Sequence, residues 1–422
     1  MIIRKKLAGA IGIVAMASAA VLVLSGCTRD GGGSANGDTG GVTSSPGITD
    51  TTLTFGITTP LSGPLAGPGN CAADGAVAYF ESRNAAGGIT FGDGKTRTIE
   101  LSLFDDQLDP QKALGNFQQM VADGVFAAGI GLGTATNRAW REAAIDEEVP
   151  QVLIISGDPI FSDRQESPWQ LGLPPTYPQE GAAFGKALID SGEPHKVAIL
   201  QMNDDYGAGY VEGFKAAVEG SPDIEIVGEA LFAASDTSVD PQITELAGTG
   251  ADVILNANGV TPLAIGAMQK AQQLGWFPSW MLPSNTASPS GVIEPGGGDA
   301  YPGIYTVAFA QDVNSPAVKD SDEGKALLSA LAEYTNQEAA PSFPHCVWSW
   351  IAAATLEHAF TIMEEPTRES FMEAMLSISD FRAPLMMPGT AINSTIDGIP
   401  AVAEVVLQKF NGEGYVTVDA IG

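Results

Sequence analysis

The chain predicts an α/β fold built as two similar lobes, each a parallel sheet flanked by helices. Three observations carry this. Short apolar, strand-like runs alternate almost without interruption with amphipathic helical stretches, the pattern of parallel strands joined by helical crossovers. A local device recurs: Asp109-Pro110-Gln111 and Asp240-Pro241-Gln242 each follow a strand and open a helix, and an apolar strand and a glycine-bearing turn come next (Gly131 to Gly133, and Gly259). The stretch from about Ile48 to Gly422 is long for one domain and comfortable for two.

In the first block, apolar runs place strands over Leu53–Thr59, Ile99–Phe104, Val125–Ile130 and Val152–Ile155. Helical spacing fills the gaps over Ala72–Asn84, Gln111–Ala122 and Asn137–Glu147. The second block has helices over Gln179–Ser191, Ala208–Glu219, Gln242–Ala247 and Pro262–Leu274. Its strands are Val197–Met202, Ile224–Val227, Val253–Asn256 and Tyr305–Phe309. Asp109 and Asp240 suit helix N-caps, each with Pro at the first helical position. Two longer helices follow, Gly324–Asn336 and Val347–Met363, and Ala403 to Val418 reads as a small antiparallel pair.

The N-terminus has its own logic. Lys5-Lys6 precede an apolar run from Leu7 to Leu24, which ends in Leu24-Ser25-Gly26-Cys27. A basic start, an apolar core and a small-residue end make an export signal. The run is long enough to span a membrane, but the small residues and cysteine at its end argue for cleavage. Leu-Ser-Gly-Cys resembles the bacterial lipobox, which implies a signal peptide over 1–26 and a lipid on Cys27; a plain signal peptide or a signal anchor is the alternative. From Thr28 to Pro46 the chain is mostly Gly, Ser, Thr, Asn and Asp, so 27–50 reads as a flexible, lipid-anchored linker. The expected location is extracytoplasmic, tethered to the cell membrane.

Asp and Glu number 50 against 20 Lys and Arg, for a formal net charge of −30. Such a field excludes nucleic-acid binding and repels anionic headgroups, and it equally serves as a solubility adaptation of a secreted surface. With Cys27 lipidated, Cys71 and Cys346 remain, either as a disulfide or as two buried thiols. His195, His345 and His358 show no metal-ligand spacing with these cysteines, so no metal is expected. No nucleophile elbow or phosphate loop occurs. Gly129-Ile130-Gly131-Leu132-Gly133 has Thr134 where a dinucleotide fingerprint needs glycine. No cofactor and no catalysis are expected.

Three strand ends hold polar groups. The glycine turn before Thr134 offers backbone N–H groups and a hydroxyl to an anionic or carbonyl group, or only permits close packing. Asp105, Asp106 and Asp109 lack calcium-loop spacing and read as a solvated strand end plus a helix cap. Asn203-Asp204-Asp205-Tyr206-Gly207 follows a strand, where ligands bind in open α/β sheets, and is a recognition element or a turn.

The order of several segments carries a resemblance. Thr59-Pro60-Leu61-Ser62-Gly63-Pro64, Asn84-Ala85-Ala86-Gly87-Gly88-Ile89, Asp105-Asp106 with Asp109-Pro110, Val149-Pro150-Gln151 and Asn203-Asp204-Asp205-Tyr206-Gly207 resemble type I solute-binding proteins. The likeness runs from about Thr51 to the C-terminus and is to the branched-chain amino-acid receptors of ABC importers. It implies two lobes joined by three hinge crossovers, 51–173 plus 309–383 and 174–308 plus 384–422. The ligand carboxylate would sit at Leu132-Gly133-Thr134 and Ser156-Gly157-Asp158, with Tyr206 as a cleft aromatic. Asn258-Gly259 would face it from the second lobe, with Pro68 in the first loop. Cys71 and Cys346 both map near this cleft, which favours their disulfide.

Two departures bear on the ligand. Amino-acid receptors of this family hold the ammonium with a second-lobe acid, and the matching turn here is Pro283-Ser284-Asn285. Asp158 stands where a hydroxyl usually helps hold the carboxylate, and a buried carboxylate beside an anion is unfavourable unless paired or protonated. A polar, amide-like or aromatic solute therefore fits at least as well as a branched-chain amino acid. The resemblance implies a monomeric receptor that captures a small polar or amino-acid-like solute and delivers it to an ABC permease. A ligand sensor for a signalling partner is the alternative, and a secreted hydrolase the remote one.

Overall fold

Leu53, Phe55 and Ile57 have no solvent exposure, and the strand that carries them is the centre of the first sheet. In this computed structural model, residues 43–336 and 341–421 are described. The expected signal over 1–26, the lipid acceptor Cys27 and the start of the expected linker lie outside them.

The first sheet contains β1 (Thr52–Thr59), β2 (Ile89–Thr90), β3 (Thr96–Asp105), β4 (Ala127–Gly129), β5 (Gln151–Ile154) and β6 (Gln170–Gly172), in the order β2-β3-β1-β4-β5-β6. Only β2 runs antiparallel, against β3. Its helices are α1 (Ala66–Ala85), α2 (Pro110–Ala122), α3 (Thr134–Ala139) and α4 (Arg141–Asp146). The chain then crosses to α5 (Tyr177–Asp190), and the second lobe continues through β7 (His195–Met202), α6 (Asp205–Val218), β8 (Ile224–Phe232) and α7 (Asp240–Ala247). It ends with β9 (Val253–Ala257), α8 (Thr261–Gln273), β10 (Ser279–Met281) and β11 (Ile304–Ala308). A second crossing leads to α9 (Pro316–Lys319), α10 (Asp322–Tyr334), α11 (His345–Ile362) and α12 (Arg368–Ser377); α10, α11 and α12 pack into the first lobe's core. A third returns the chain to β12 (Val406–Phe410) and β13 (Tyr415–Thr417), antiparallel on the edge of β11. The second sheet reads β13-β12-β11-β10-β9-β7-β8.

Each lobe has its own core. That of the first packs α1 and α11 against the sheet, with Cys71 and Cys346 joined as a disulfide between the two helices. A smaller cluster under its other face holds Phe117, Met120, Trp140 and Phe161.

Several segments differ from the sequence reading. The expected linker is docked at its end: the Ser45 hydroxyl accepts from the Arg368 N–H at 3.0 Å, and Ile48 is buried. The stretch after 383, expected in the second lobe, buries Leu385, Met386, Ile392, Ala401 and Val402 in the first lobe's core. It bonds the Gln311 N–H to the Leu385 carbonyl at 2.8 Å and the Val402 N–H to the Leu173 carbonyl at 3.0 Å, tying it to the second and first crossings. Helix α1 starts six residues before the expected Ala72, in the helix-poor run Ala66-Gly67-Pro68-Gly69, because packing overrides propensity there. A Cβ on Gly69 would lie 2.0 Å from the Pro60 carbonyl oxygen. The Asp-Pro-Gln echo is also unequal: Asp109 caps α2 through the N–H groups of Gln111 and Lys112, whereas Asp240 is the first residue of α7, after Val239.

Candidate functional site

The strands of the first sheet end in the glycine turn that sequence reading singled out. Gly133 adopts φ 114° and begins α3, and a Cβ there would lie 2.6 Å from the Thr136 hydroxyl. One strand over, β5 has a register shift between Val152 and Ile154, with Leu153 at φ 53°. Bulges re-aim the residues that follow them, and here Ser156 meets Thr134. The Thr134 and Ser156 hydroxyls lie 3.1 Å apart, and the Tyr177 hydroxyl is 2.8 Å from the first and 3.1 Å from the second. Thr134 and Ser156 belong to the first lobe and Tyr177 opens α5 of the second, so this trio bridges the lobes.

Between the lobes lies a cavity of about 180 Å³. Leu132, Gly133, Thr134, Ser156, Gly157, Tyr206, Gly259, Ser284 and Asn285 all line it. Tyr206 donates to Asn285 Oδ1 at 2.9 Å, and its ring packs against Gly259, where a Cβ would meet it at 3.2 Å.

Three expected residues do not line it. Pro68 is buried within the first turn of α1 and Leu65 lines the cavity instead. Asn258 is fully buried, and its Oδ1 accepts the Val260 N–H at 2.9 Å to shape the turn after β9. Asp158 turns away to Arg138 and accepts the Ile160 N–H at 3.2 Å. Arg138 also reaches across the cleft, Nη1 to Asp205 Oδ2 at 3.1 Å. A carboxylate at position 158 is thus tolerated because a guanidinium neutralises it, with no ligand group required.

Further residues complete the walls. The α5 start is a capping box, with the Thr176 hydroxyl accepting the Gln179 N–H and the Gln179 side chain accepting the Thr176 N–H. Three residues apart on that helix, Tyr177 and Glu180 both face the cavity. Glu180 is 2% exposed and accepts from the Tyr210 hydroxyl at 2.7 Å and from the Ser284 hydroxyl and N–H at 2.7 and 3.2 Å. Burial pushes its carboxyl up to about 7, against the lowering effect of these donors. The Thr-x-x-Gln signature at 176–179 marks this helix start in sequence; starting the helix at Gln179 left Tyr177 outside it, and Glu180, inside it, gave no sign that it faces the cleft.

The acidic cluster also differs from expectation. Asp105 and Asp106 are not a solvated strand end. Asp106 is fully buried, takes the Thr58 hydroxyl at 3.1 Å and the Leu108 N–H at 2.9 Å, and is pushed up to about 6 by burial. Asp105 takes the N–H groups of Leu61 and Gln107 at 2.9 and 3.0 Å. Between them the two carboxylates hold Gln107 and Leu108 at φ 56° and 61°, and Leu108 lines the cavity.

No Lys, Arg or His is among the lining residues, whose charged members are Glu180 and Asp204. Leu65, Leu108, Leu132, Ile155, Met202, Val260 and Trp348 supply the apolar wall. Among the described residues no group of three or more His, Cys, Asp or Glu is placed to hold a metal. The site can therefore enclose an apolar body and hydrogen-bond its polar end.

Comparison with known proteins agrees with this architecture. The chain is 26% identical over 280 residues to a leucine-, isoleucine-, valine-, threonine- and alanine-binding protein of Pseudomonas aeruginosa, covering 65% of this chain and 72% of that one. A fatty acid ABC transporter substrate-binding protein from Thermomonospora curvata superposes with a TM-score of 0.75 at 22% identity, over 90% of this chain and 95% of that one. A solute-binding protein of an R. palustris ABC transporter, in complex with benzoate, gives 0.70 at 20% identity, over 87% and 96%. These relatives are binding proteins, not enzymes. The periplasmic binding protein family model matches residues 52–409, and with two lobes, three crossings and a cavity between the lobes the chain belongs to that family, as a type I solute-binding protein.

Proposed function

We propose that this protein is a lipid-anchored, monomeric receptor that closes on a small solute and hands it to an ABC permease. The observation that carries the reading is the inter-lobe cavity, walled from both lobes and lined mainly by apolar side chains. Its polar groups include the Thr134, Ser156 and Tyr177 hydroxyls on one side and Glu180, Ser284 and Asn285 on another, with Asp204, Tyr206 and Tyr210 also in the lining. A solute with an apolar body and a neutral or amine-bearing polar end suits that lining. An isolated anion does not, because no cation lines the cavity. Relatives named for aliphatic amino acids, a fatty acid and benzoate share the idea of an apolar body with a polar end. Solute contacts drawn from both lobes, such as the hydroxyl trio of Thr134, Ser156 and Tyr177, would favour the arrangement that encloses it.

A thermal-shift screen of the soluble chain, begun after Thr28, tests the reading against aliphatic and aromatic amino acids, carboxylic acids and their amides. A binder raises the melting temperature and is recovered unchanged. Conversion of a hit to product, or no hit in any class, overturns it. Loss of membrane retention on Cys27→Ser tests the anchor.

A further inference from the structure

A second cavity, of about 60 Å³, adjoins the first. It lies against the second crossing and the start of α11, with Ala287, Val307, Phe309, Val313 and Val347 among its apolar walls. Two residues face both cavities: Trp348 from the first lobe and Ser284 from the second. Neither is free to drift. Trp348 is 4% exposed, with its ring 4.9 Å from those of both Phe309 and His345. Ser284 is held twice by Glu180. Polar groups around the second cavity are used locally. Gln311 Nε2 donates to the Met386 carbonyl at 2.9 Å, Asp312 takes the Asn314 N–H at 2.9 Å, and Tyr415 donates to the Ala287 carbonyl at 2.6 Å. The surface left to an occupant is mostly apolar.

We propose that the Trp348 indole is the partition that sets how long a solute the cleft accepts, by closing the cleft off from a second cavity into which an unbranched aliphatic chain would otherwise extend. The inference rests on the reading of the protein as a receptor for a solute with an apolar body. The polar end sits with the hydroxyl trio, the chain runs toward α11, and the indole ends it. Shortening the side chain at 348 joins the two spaces.

The test is calorimetric titration of the full soluble chain and its variants with two probe series, straight-chain carboxylic acids and their primary amides, of four to ten carbons. The wild type binds the shorter amides, the acids more weakly because no cation lines the cavity, and loses affinity beyond a limiting length. Trp348→Ala moves that limit upward by two or more carbons, each added methylene tightening binding about fourfold until the second cavity is filled. Trp348→Phe keeps a ring against Phe309 and His345, guards against a folding defect, and moves the limit less. Ala310→Leu, in the second cavity, leaves the wild-type profile alone and cancels the gain of Trp348→Ala. An unchanged length profile in folded Trp348 variants overturns the partition and leaves the receptor reading intact. No binding of either series by any of the proteins overturns the partition for aliphatic chains, and the receptor reading then stands or falls on the amino-acid classes of the thermal-shift screen.

Discussion

Arg138 and Asp205 join the two lobes with a single ion pair, Nη1 to Oδ2 at 3.1 Å, and Arg138 holds the nearly buried Asp158 with the same guanidinium. One side chain thus serves the first lobe's fold and the contact between the two lobes. Substitution at its two partners separates the roles.

Asp205 is more than half exposed, so its pair with Arg138 is worth about 0.2–1 kcal/mol. Asp205→Asn is expected to weaken solute binding up to about fivefold, with an unchanged melting temperature and reduced salt sensitivity. Arg138→Ala leaves Asp158 buried without its cation, and it is expected to lower the melting temperature as well. Calorimetry and thermal melts on both variants check this; equal melting losses would remove the distinction.

Thr134→Ala leaves Ser156 and Tyr177 bonded to each other at 3.1 Å, so folding should change by less than about 1 kcal/mol. Affinity for the screen's best binder should fall about fivefold or more. Tyr206→Phe keeps the ring beside Tyr177, at 4.7 Å, and strips Asn285 Oδ1 of its donor. It too should weaken binding without unfolding the chain. Unchanged affinity in both variants would remove the hydroxyl trio and Tyr206 from the site.

Glu180 makes stability depend on pH. An unfolded glutamate loses its proton near pH 4.3, whereas the buried one keeps it to about 7. Across that window the folded chain binds more protons than the unfolded, so stability falls as pH rises and levels off above 7, by on the order of 3–4 kcal/mol. Asp106 adds the same sign up to about pH 6. Urea unfolding from pH 5 to 8 should therefore show a shallower decline in Glu180→Gln than in the wild type. Parallel curves would mean that Glu180 is ionised throughout.

The Cys71–Cys346 disulfide closes a sequence separation of 275 residues and ties α1 to α11. Reduction, or the paired change to serine, should destabilise the chain by about 2–5 kcal/mol. Neither cysteine lines the solute cavity, so affinity measured below the melting transition should stay within about twofold. A large affinity loss with little destabilisation would reverse that separation.

The alternation of strands and helices was legible because each element carries its own periodicity, and β1, β7 and β9 announce themselves as apolar runs. Short strands such as β6 and β10, three residues each, have too little pattern to stand out. At the site, residues next to strand ends were visible: Thr134, Ser156 and Tyr206. Trp348 was not, because it comes from α11, more than 140 residues beyond Tyr206, and only tertiary packing brings it to the cleft. Asp158 misled for a related reason, since its partner Arg138 is twenty residues away on α3.

The segment from Leu385 to Val402 bonds to the second crossing at one end and to the first at the other. It also leads straight into the third. A strap of this kind makes three separate connections behave as one joint. Two backbone hydrogen bonds and the continuous chain link them, so a displacement at any one connection strains the other two.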